Sequence, residues 1–455
     1  MSQNLKITLC GGVGATTGSN FLFESETFSF LVDCGLLQGV GNADAFNSAD
    51  FPYDPASIDY VFITHAHIDH IGRIPKLVKD GFTGKIISTP PTREIARLML
   101  EDMAGLMDGE ARRKGTLPLY TRADAARAFD HWETLEYHTP YSLPDGLSLT
   151  YKDAGHILGS AMAEFSRSGK KLVCTGDLGN SPSLFLRDTE SIEGATYLLM
   201  ESVYGDRNHE SKDERRAKLM SIIKDSIAHK RTLIIPAFSL ERTQDILFEL
   251  NDLIEHDLVP SVPVFIDSPL AIKVTGIYKQ SSKYFKPEAQ ELIKSGDDLF
   301  HFPKLRFTPR IQESLSIKGE PDPKIIIAGS GMSNGGRVID HETFYLPRES
   351  TTLLLVGYQS VGTLGRRIQD GEKKINLNGE TVAVRAKIET IFGYSSHKDS
   401  EHLLEFVSTG EKTLKKIFVA MGEPKSSLFL VQRIRDYLGL DAIAPGQGSS
   451  YDLDM

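Results

Sequence analysis

Three histidines and one aspartate lie within six residues of this chain, directly after an apolar stretch. The run reads Thr64-His65-Ala66-His67-Ile68-Asp69-His70. Residues 59–63 (DYVFI) predict a buried strand before it, and residues 72–79 predict the start of a helix after it. Imidazole nitrogens and carboxylate oxygens are common ligands of transition metals. The run therefore predicts a metal site where a strand turns into a helix, and it favours a two-metal hydrolase.

The spacing within the run divides its side chains between two ions. His65 and His67 are two residues apart and can point at one ion, whereas Asp69 and His70 lie one turn further on and can reach a second. The alternative is a histidine-rich surface loop. Chance rarely places these residue types at this spacing directly after an apolar strand, so the pattern favours the metal site.

The composition is that of an ordinary globular chain. Its 455 residues, 40% hydrophobic, are enough for two or three domain-sized cores. No apolar run reaches the roughly 18 to 20 residues of a membrane span, and no signal peptide is evident, so a cytoplasmic protein is expected. The net charge of -10 argues against nucleic-acid binding through a broad basic surface, although a local basic cleft is compatible with it. The cysteines, beside apolar runs, are expected to be reduced core residues: Cys10, Cys34 and Cys174.

Secondary-structure signals change along the chain. Residues 6–64 are strand-like runs separated by glycines, and helical periodicity follows at residues 93–107 and near 123–135. After about residue 206, helical and strand-like segments alternate, as they do in a parallel α/β domain. A second fold is therefore expected to begin there.

Two further turns each place a polar side chain beside glycine after a strand-like run. They are residues 153–159 (DAGHILG) and residues 175–179 (TGDLG). Either turn alone is a weak signal, but together with the histidine-rich run they complete a set of ligands. The predicted ligands are His65, His67 and His156 for one ion, Asp69 and His70 for another, and Asp177 as a bridge to both.

These features resemble the metallo-β-lactamase superfamily, whose hallmarks match Asp33, residues 65–70, His156 and Asp177. Further runs are similar to motifs of the β-CASP nucleases, and the match covers essentially the whole chain. The runs are residues 200–207 (MESVYGDR), 236–244 (PAFSLERTQ), 267–271 (DSPLA), 329–337 (GSGMSNGGR), 357–366 (GYQSVGTLGR) and 394–397 (YSSH). Within that family the chain resembles the bacterial and archaeal relatives of the cleavage-and-polyadenylation specificity factor endonuclease.

The resemblance implies an α/β fold, a four-layer αββα sandwich into which an α/β cap, the β-CASP domain, is inserted. It places the first part of the metallo-β-lactamase domain at residues 1–205, the cap at 206–387 and the second part at 388–455. It also implies two zinc ions as cofactors. Histidine-rich sites accept Mn and Fe as well, so the sequence does not fix the metal.

The resemblance further implies catalytic roles for Asp69, Glu201 and His397. Metal-bound hydroxide would attack a phosphodiester bond, and the alkoxide that results leaves slowly near neutral pH without a proton. Glu201 and His397 form, by resemblance, a hydrogen-bonded pair that protonates this oxygen. Taken singly, Glu201 would be a capping or surface carboxylate and His397 a residue at a helix start. The surrounding motifs favour the catalytic pair.

One position departs from the family pattern. Members that cut RNA carry a histidine in a VHGE-like motif near the carboxyl end, as the last ligand of the second ion, whereas residues 418–423 here read FVAMGE and place Met421 there. A thioether binds zinc far more weakly than imidazole does. We therefore expect the second site to bind weakly, to use water, or to stand empty. His402 is a candidate replacement, but we expect it on the solvent face of its helix.

The motifs resemble the RNA-cutting branch of the family, although the DNA-processing branch likewise has an apolar residue at the position of Met421. Single-stranded RNA is therefore the expected substrate, and DNA is the alternative. The glycine-rich residues 329–336 can present backbone amides to a phosphate. Side-chain donors to the substrate are predicted at Ser330, Ser333, Arg337 and Arg366.

Two other functions are open at this point. The chain could be a non-catalytic or weakly active RNA-binding protein, because the family contains members that lost ligands yet kept the fold. Hydrolysis of a small ester, lactam or thioester would need only the shared histidine-rich loop, but the cap motifs argue against it. The sequence leaves the oligomeric state open, and with it a homodimer.

Overall fold

The structure, a computed structural model, describes residues 4–360 and 362–455. Residues 1–3, at the start of the predicted first domain, and Val361, within the motif at residues 357–366, lie outside the described residues. The chain forms two compact units. The first unit combines Met1–Asn208 with His397–Met455, and the second is His209–Ser396.

The described residues form 22 strands and 14 α-helices. The strands are β1 Asn4–Gly11, β2 Asn20–Glu24, β3 Ser29–Val32, β4 Tyr60–Phe62, β5 Lys85–Ser88, β6 Trp132–Thr134, β7 Tyr141–Ser142, β8 Ser148–Asp153, β9 Ala161–Arg167, β10 Lys170–Cys174, β11 Tyr197–Met200, β12 Thr232–Pro236, β13 Val264–Asp267, β14 Leu305–Phe307, β15 Lys324–Ala328, β16 Thr351–Val356, β17 Lys374–Leu377, β18 Glu380–Ala383, β19 Lys387–Ile391, β20 Lys416–Val419, β21 Ala442–Ile443 and β22 Ser450–Asp454. The α-helices are α1 Ala43–Ser48, α2 Ile68–Ile71, α3 Ile74–Lys79, α4 Pro90–Lys114, α5 Arg122–Ala128, α6 Lys212–Ala228, α7 Arg242–Glu255, α8 Pro269–Gln280, α9 Pro287–Lys294, α10 Ile311–Ser316, α11 Val338–Tyr345, α12 Leu364–Gln369, α13 Ser400–Ser408 and α14 Pro424–Leu438.

Two seven-stranded sheets build the first unit. Their strand orders are β22-β1-β2-β3-β4-β5-β6 and β21-β20-β11-β10-β9-β8-β7. The facing sides of the sheets share one hydrophobic core, which includes Phe23, Phe30 and Phe165. The ring centroid of Phe30 lies 4.9 Å from that of Phe23 and 4.8 Å from that of Phe165. Aromatic pairs at such separations stabilise a core beyond the area they bury.

Helices cover the outer sides of both sheets. A second core joins Leu198 of β11 to Leu403 of α13 and Leu430 of α14. On the first sheet, α4 contacts β6 and buries Ile95 and Leu100. The layers are therefore helix, sheet, sheet and helix, and the predicted αββα sandwich is confirmed.

A six-stranded parallel sheet forms the centre of the second unit, in the order β14-β13-β15-β12-β16-β19. Its four inner strands are buried on both faces, as β12 shows with five buried residues out of five, whereas the edge strands β14 and β19 are partly exposed. This unit is the predicted α/β cap. Carboxyl ends of parallel strands meet at one edge of a sheet, so the loops after β12, β13, β15 and β16 share an edge. Those loops contain the motif residues 237–239, Ser268, 329–336 and 357–360.

The helix predicted near residues 123–135 is wrong in its second half. Thr121 caps α5 and accepts a hydrogen bond from the backbone N–H of Asp124, but the helix ends at Ala128. Trp132 instead starts β6, pairs with Ile86 and donates from Nε1 to another residue of β5 at 2.8 Å. Pairing with a sheet overrides the local helical pattern here.

None of the helices in the described part of the chain combines the length and the apolar composition that a membrane span requires. Cys10, Cys34 and Cys174 are buried and unpaired, as predicted. Burial raises the pKa of Cys10 to about 11, so this thiol stays protonated near neutral pH.

Gly35 holds the histidine-rich run in place because it leaves no room for a side chain. A Cβ at Gly35 would lie 1.6 Å from the carbonyl oxygen of Asp69 and 2.7 Å from the backbone nitrogen of His70. We expect Gly35→Ala to lower the free energy of unfolding by about 2 kcal/mol or more, because backbone atoms would have to move. Urea denaturation measures the loss. In the control, Gly41→Ala, the added Cβ would meet no atom within 4 Å, and equal midpoints for the two variants would contradict the packing argument.

Candidate metal centre

Hydrogen bonds to Asp33 fix the loop that follows β4. Oδ1 of Asp33 accepts from the backbone N–H of Thr64 at 2.9 Å, and Oδ2 accepts from the Thr64 hydroxyl at 2.9 Å. Nδ1 of His70 lies 2.7 Å from the same Oδ2. Asp33 has a φ of 60°, a left-handed conformation that is unfavourable for a residue other than glycine. This carboxylate therefore orients the histidine-rich run at both of its ends.

Four side chains converge beside this loop. His65, His67, His156 and Asp177 each offer one ligand atom, and the four atoms lie within 4.8 Å of one another. Nδ1 of His67 lies 3.1 Å from Nε2 of His65 and 3.3 Å from Nε2 of His156. Oδ2 of Asp177 lies 3.5 Å from Nε2 of His65 and 3.6 Å from Nε2 of His156. Three nitrogens and one oxygen thus face a common space.

The electrostatics of this group suit a cation. Burial, reinforced by neighbouring imidazoles, lowers the pKa of His67 and of His156 well below its usual value. Both rings are therefore neutral, and a neutral imidazole carries the lone pair that a metal requires. Lone pairs that face one another repel unless a proton or a cation lies between them.

Asp69, His70 and Asp177 form a second group around the other oxygen of Asp177. Nε2 of His70 lies 3.4 Å from Oδ1 of Asp177 and 4.0 Å from Oδ2 of Asp69. Among the described residues, both His70 Nε2 and Asp177 Oδ1 are buried without a hydrogen-bond partner. Because Asp33 faces Nδ1 of His70, Nε2 is the nitrogen left to bind a cation, as is usual for metal-bound histidine.

Asp177 is the ionised carboxylate that both groups share. Burial alone would raise its pKa, but His70 and His397 outweigh burial and hold this pKa well below its usual value. Burial alone would lower the pKa of His70, but Asp177 and Asp33 raise it well above its usual value. For Asp69 burial is the largest effect, and the pKa is raised.

A third group joins Asp177 to Glu201 and His397. Nδ1 of His397 lies 3.1 Å and 3.2 Å from the two oxygens of Glu201, and 4.0 Å from Oδ2 of Asp177. Glu201 is fully buried, and the backbone N–H of Leu178 donates to its Oε1 at 2.6 Å. Burial alone would lower the pKa of His397, but Glu201 and Asp177 raise it to about 9. In this arrangement the imidazole is protonated near neutral pH.

Met421 packs into the core close to the residues that orient this centre. Its side chain is 1% exposed, and its sulfur lies 3.7 Å from the hydroxyl of Ser19. The same hydroxyl lies 3.4 Å from Oδ2 of Asp33. Met421 therefore adds neither an imidazole nor a carboxylate to the second group.

His402 lies on α13, where its Nδ1 is 2.7 Å from Oδ1 of Asp399 and its side chain is 40% exposed. It belongs to none of the three groups found among the described residues. The predicted solvent-facing position of His402 is confirmed, and the structure does not bring it to the second group.

Two of the residues predicted to bind substrate form hydrogen bonds to other residues of the second unit. Ser333 is 1% exposed and its hydroxyl donates to Oε1 of Glu342 at 2.5 Å. Arg337 donates from Nη1 to Oδ1 of Asp267 at 2.7 Å and to a backbone carbonyl at 2.6 Å. These contacts hold the loop at residues 329–336 in shape, and binding of substrate by the two side chains stays a prediction.

The other two predicted contacts are less enclosed. Oγ of Ser330 accepts from the backbone N–H of Asn334 at 3.0 Å. Nε of Arg366 lies 2.9 Å from both oxygens of Asp370 on the same helix segment, and its side chain is 34% exposed. Substrate binding by Ser330 and Arg366 also stays a prediction.

Thr64 contributes to the centre although the sequence did not mark it out. Its hydroxyl donates to Asp33 and lies 3.1 Å from Nδ1 of His65, so it links the orienting carboxylate to the first histidine of the run. Its position at the end of an apolar strand, directly before the first histidine, is the signal that could have identified it.

Three family models match the chain in succession. The model of the metallo-beta-lactamase superfamily matches residues 13–189, that of the Beta-Casp domain matches residues 243–368, and that of the Zn-dependent metallo-hydrolase RNA specificity domain matches residues 381–445. The first and third fall mainly in the first compact unit, and the second falls in the other unit.

Relatives match along nearly the whole chain. Ribonuclease TTHA0252 of Thermus thermophilus is 33% identical over 426 residues, which cover 94% of this chain and 95% of the relative. Transcription termination factor FttA of Methanosarcina mazei is 29% identical over 458 residues, covering 97% of this chain and 70% of the relative. The FttA protein of Pyrococcus abyssi is 28% identical over 463 residues, with coverage of 98% and 70%.

A solved structure supports the fold alone. The crystal structure of a protein of unknown function from Enterococcus faecalis V583 matches with a TM-score of 0.56 and 11% identity, covering 99% of this chain and 100% of that chain. The family assignment rests instead on the three family models and on the 33% identity to a relative matched over most of its length. The predicted family is confirmed: this chain belongs to the β-CASP family of the metallo-β-lactamase superfamily of metal-dependent hydrolases.

Proposed function

We propose that this protein is a metal-dependent ribonuclease that hydrolyses phosphodiester bonds of single-stranded RNA. The observation that carries the proposal is the carboxylate of Asp177, around which two groups of side chains that could hold a metal meet the imidazole of His397. A relative named as a ribonuclease matches 94% of the chain, and a model named for RNA specificity matches residues 381–445. Both support RNA as the substrate.

The ligand types support zinc as the metal. The first group offers three imidazole nitrogens and one carboxylate oxygen, and the second offers one imidazole and two carboxylates. Bound ions would polarise the phosphate and make water a nucleophile near neutral pH. The proposed ligands are His65, His67, His156 and Asp177 for one ion, and Asp69, His70 and Asp177 for the other. The predicted catalytic role of Asp69 is thus that of a ligand.

His397 would deliver the proton that the leaving oxygen needs. Its Nδ1 faces the carboxylate of Glu201, so the proton available for transfer is the one on Nε2. Glu201 stabilises the imidazolium and orients the ring, and Leu178 holds Glu201 through its backbone N–H. Nδ1 of His397 lies 4.0 Å from Oδ2 of Asp177, so this acid lies beside the carboxylate that both metal groups share.

A non-catalytic RNA-binding protein is the second candidate, and Met421 is the observation that favours it. The remaining ligands and the Glu201–His397 pair all converge, which favours the enzyme. A DNA-directed nuclease is the third candidate, because the DNA-processing branch resembles this chain at position 421.

Metal analysis combined with a cleavage assay tests the main proposal. We expect one zinc ion per chain that survives dialysis and a second that dialysis removes, because the second group lacks the imidazole that Met421 replaces. Single-stranded RNA should be cut, a chelator should stop the reaction, and added zinc should restore it. DNA of the same sequence is the matched substrate and should be cut more slowly. A zinc-loaded protein that binds RNA without cutting it would establish the non-catalytic candidate, and equal rates on DNA would refute the preference for RNA.

Replacing Met421 by histidine should strengthen binding of the second ion. Met421 has a φ of 48°, a left-handed conformation that histidine tolerates better than most residues. We expect Met421→His to raise the affinity for the second zinc ion at least about tenfold, measured by competition with a chelator. Met421→Leu is the control, since it keeps the volume and adds no ligand. Equal zinc affinities for the two variants would show that position 421 does not reach the second ion.

Removal of the proton donor should affect substrates according to their leaving groups. We expect His397→Ala to slow RNA cleavage by about 10² to 10⁴-fold, because ribose oxygen leaves slowly without a proton. Hydrolysis of bis(p-nitrophenyl) phosphate should fall far less, since p-nitrophenolate departs unprotonated. His402→Ala is the control, because that side chain is half-buried beside Asp399 and lies outside the three groups. An equal loss on both substrates would argue that His397 acts as a ligand or a structural residue.

A further inference from the structure

Lys398 is a buried cation for which the proposed chemistry has no use. It follows His397 directly in the chain and is 5% exposed. Its Nζ donates to Oγ of Ser181 at 2.9 Å. Among the described residues this is its one side-chain hydrogen bond, and no carboxylate forms an ion pair with it.

Packing alone does not account for a lysine at this position. Burial lowers the pKa of Lys398 to about 8, although Asp188 and Glu201 act in the opposite direction. The side chain is therefore still mostly charged near neutral pH. Its one hydrogen bond is to a neutral hydroxyl, and among the described residues the carboxylates that favour its charge form no ion pair with it. An apolar side chain would therefore fill the same space at a lower cost in free energy.

The backbone of Lys398 is joined to the residues that hold Glu201. The N–H of Lys398 donates to the carbonyl oxygen of Leu178 at 2.9 Å. The N–H of Leu178 in turn donates to Oε1 of Glu201 at 2.6 Å. Leu178 therefore links the lysine to the carboxylate of the proton-donating pair.

The side chain of Lys398 adds a second attachment further along the same segment. Gly179 pairs with His397 in a short antiparallel bridge, two residues after Asp177. Ser181 lies two residues further on and receives the ammonium hydrogen bond. Residues 177–181 are thus attached to residues 397–398 twice, by the backbone bridge that includes the bond from Lys398 to Leu178 and by the side-chain bond to Ser181.

We propose that Lys398 is a positioning residue for proton donation, whose ammonium fixes residues 177–181, through Ser181, against the turn that carries His397. Asp177 is the first residue of this segment. The hydrogen bond from Lys398 to Ser181 therefore helps to hold Nδ1 of His397 at 4.0 Å from Oδ2 of Asp177. The inference rests on the proposed function in one respect, that His397 is the acid. A displacement of about 1 Å in an active site can change a rate by about a hundredfold.

A series of methyl aryl phosphodiesters tests this role with the full-length, zinc-loaded protein. An aryl oxide of low pKa departs without a proton, whereas one of high pKa needs the acid. We expect Lys398→Met to lower kcat by about tenfold to a hundredfold for the poorest leaving group and to leave the best one within about twofold. The plot of log kcat against leaving-group pKa therefore becomes steeper, while KM and zinc content stay as in the wild type.

Two further variants separate positioning from folding. Ser181→Ala removes the hydroxyl that accepts from Lys398 and that also donates to the carbonyl oxygen of Gly179 at 3.5 Å. It should steepen the plot as Lys398→Met does, and the double variant should be no worse than either single one. The Ser181→Ala variant also keeps the test available if Lys398→Met does not fold. Lys416→Met is the control, since this lysine pairs with Asp441 at 2.7 Å in the same unit and should keep the wild-type slope.

The slopes decide the outcome. Lines parallel to that of the wild type, at equal or lower rates, would overturn the proposal, as would an unchanged slope for Ser181→Ala. A wild-type protein that hydrolyses the aryl esters but not RNA would refute the proposed substrate, and the slopes would still decide the role of Lys398.

Discussion

The buried carboxylate of Asp177 is the group on which the rest of the site depends. An isolated charge in this position would be costly, but imidazoles face both of its oxygens. Oδ2 faces His65 and His156, whereas Oδ1 faces His70. The two oxygens thus give the two metal groups a common member, and His397 lies 4.0 Å from the same carboxylate. One side chain therefore joins the two groups of candidate ligands to His397.

The topology explains why loops distant in sequence meet at this carboxylate. In the second sheet β8 and β10 are both antiparallel to β9, and β10, β11 and β20 are parallel, so the carboxyl ends of β8, β10, β11 and β20 lie at one edge. The site residues follow these ends, namely His156 after β8, Asp177 after β10, Glu201 after β11 and Met421 after β20. The histidine-rich run follows β4 of the facing sheet. Loops on a rigid scaffold hold such residues in fixed relative positions.

Local spacing could predict the part of the site that lies in one run of sequence. His65, His67 and His70 could be predicted as candidate ligands because they lie within six residues of one another, directly after an apolar strand. Asp177 and His156 lie in short glycine turns that carry little signal alone, and His397 required resemblance to a family, because only the folded sheet brings it near. The contact between Lys398 and Ser181 joins residues that are 217 positions apart, so no local sequence pattern could predict it. The helix predicted across Trp132 was wrong because the residue pairs with β5, a strand distant in sequence, and this pairing overrides the local helical pattern.

Met421 contributes to the core beside the second group of candidate ligands without offering an imidazole. Complete burial of a methionine side chain stabilises the fold by about 1.5–3 kcal/mol, and this contribution does not depend on an ion. A histidine in its place would gain free energy chiefly when the ion is bound. A methionine at this position therefore stabilises the fold whether or not an ion is bound. Meanwhile Asp33 still orients His70, and burial still holds Asp69 and Asp177 nearby. The geometry of the second group is thus held by contacts that need no bound ion.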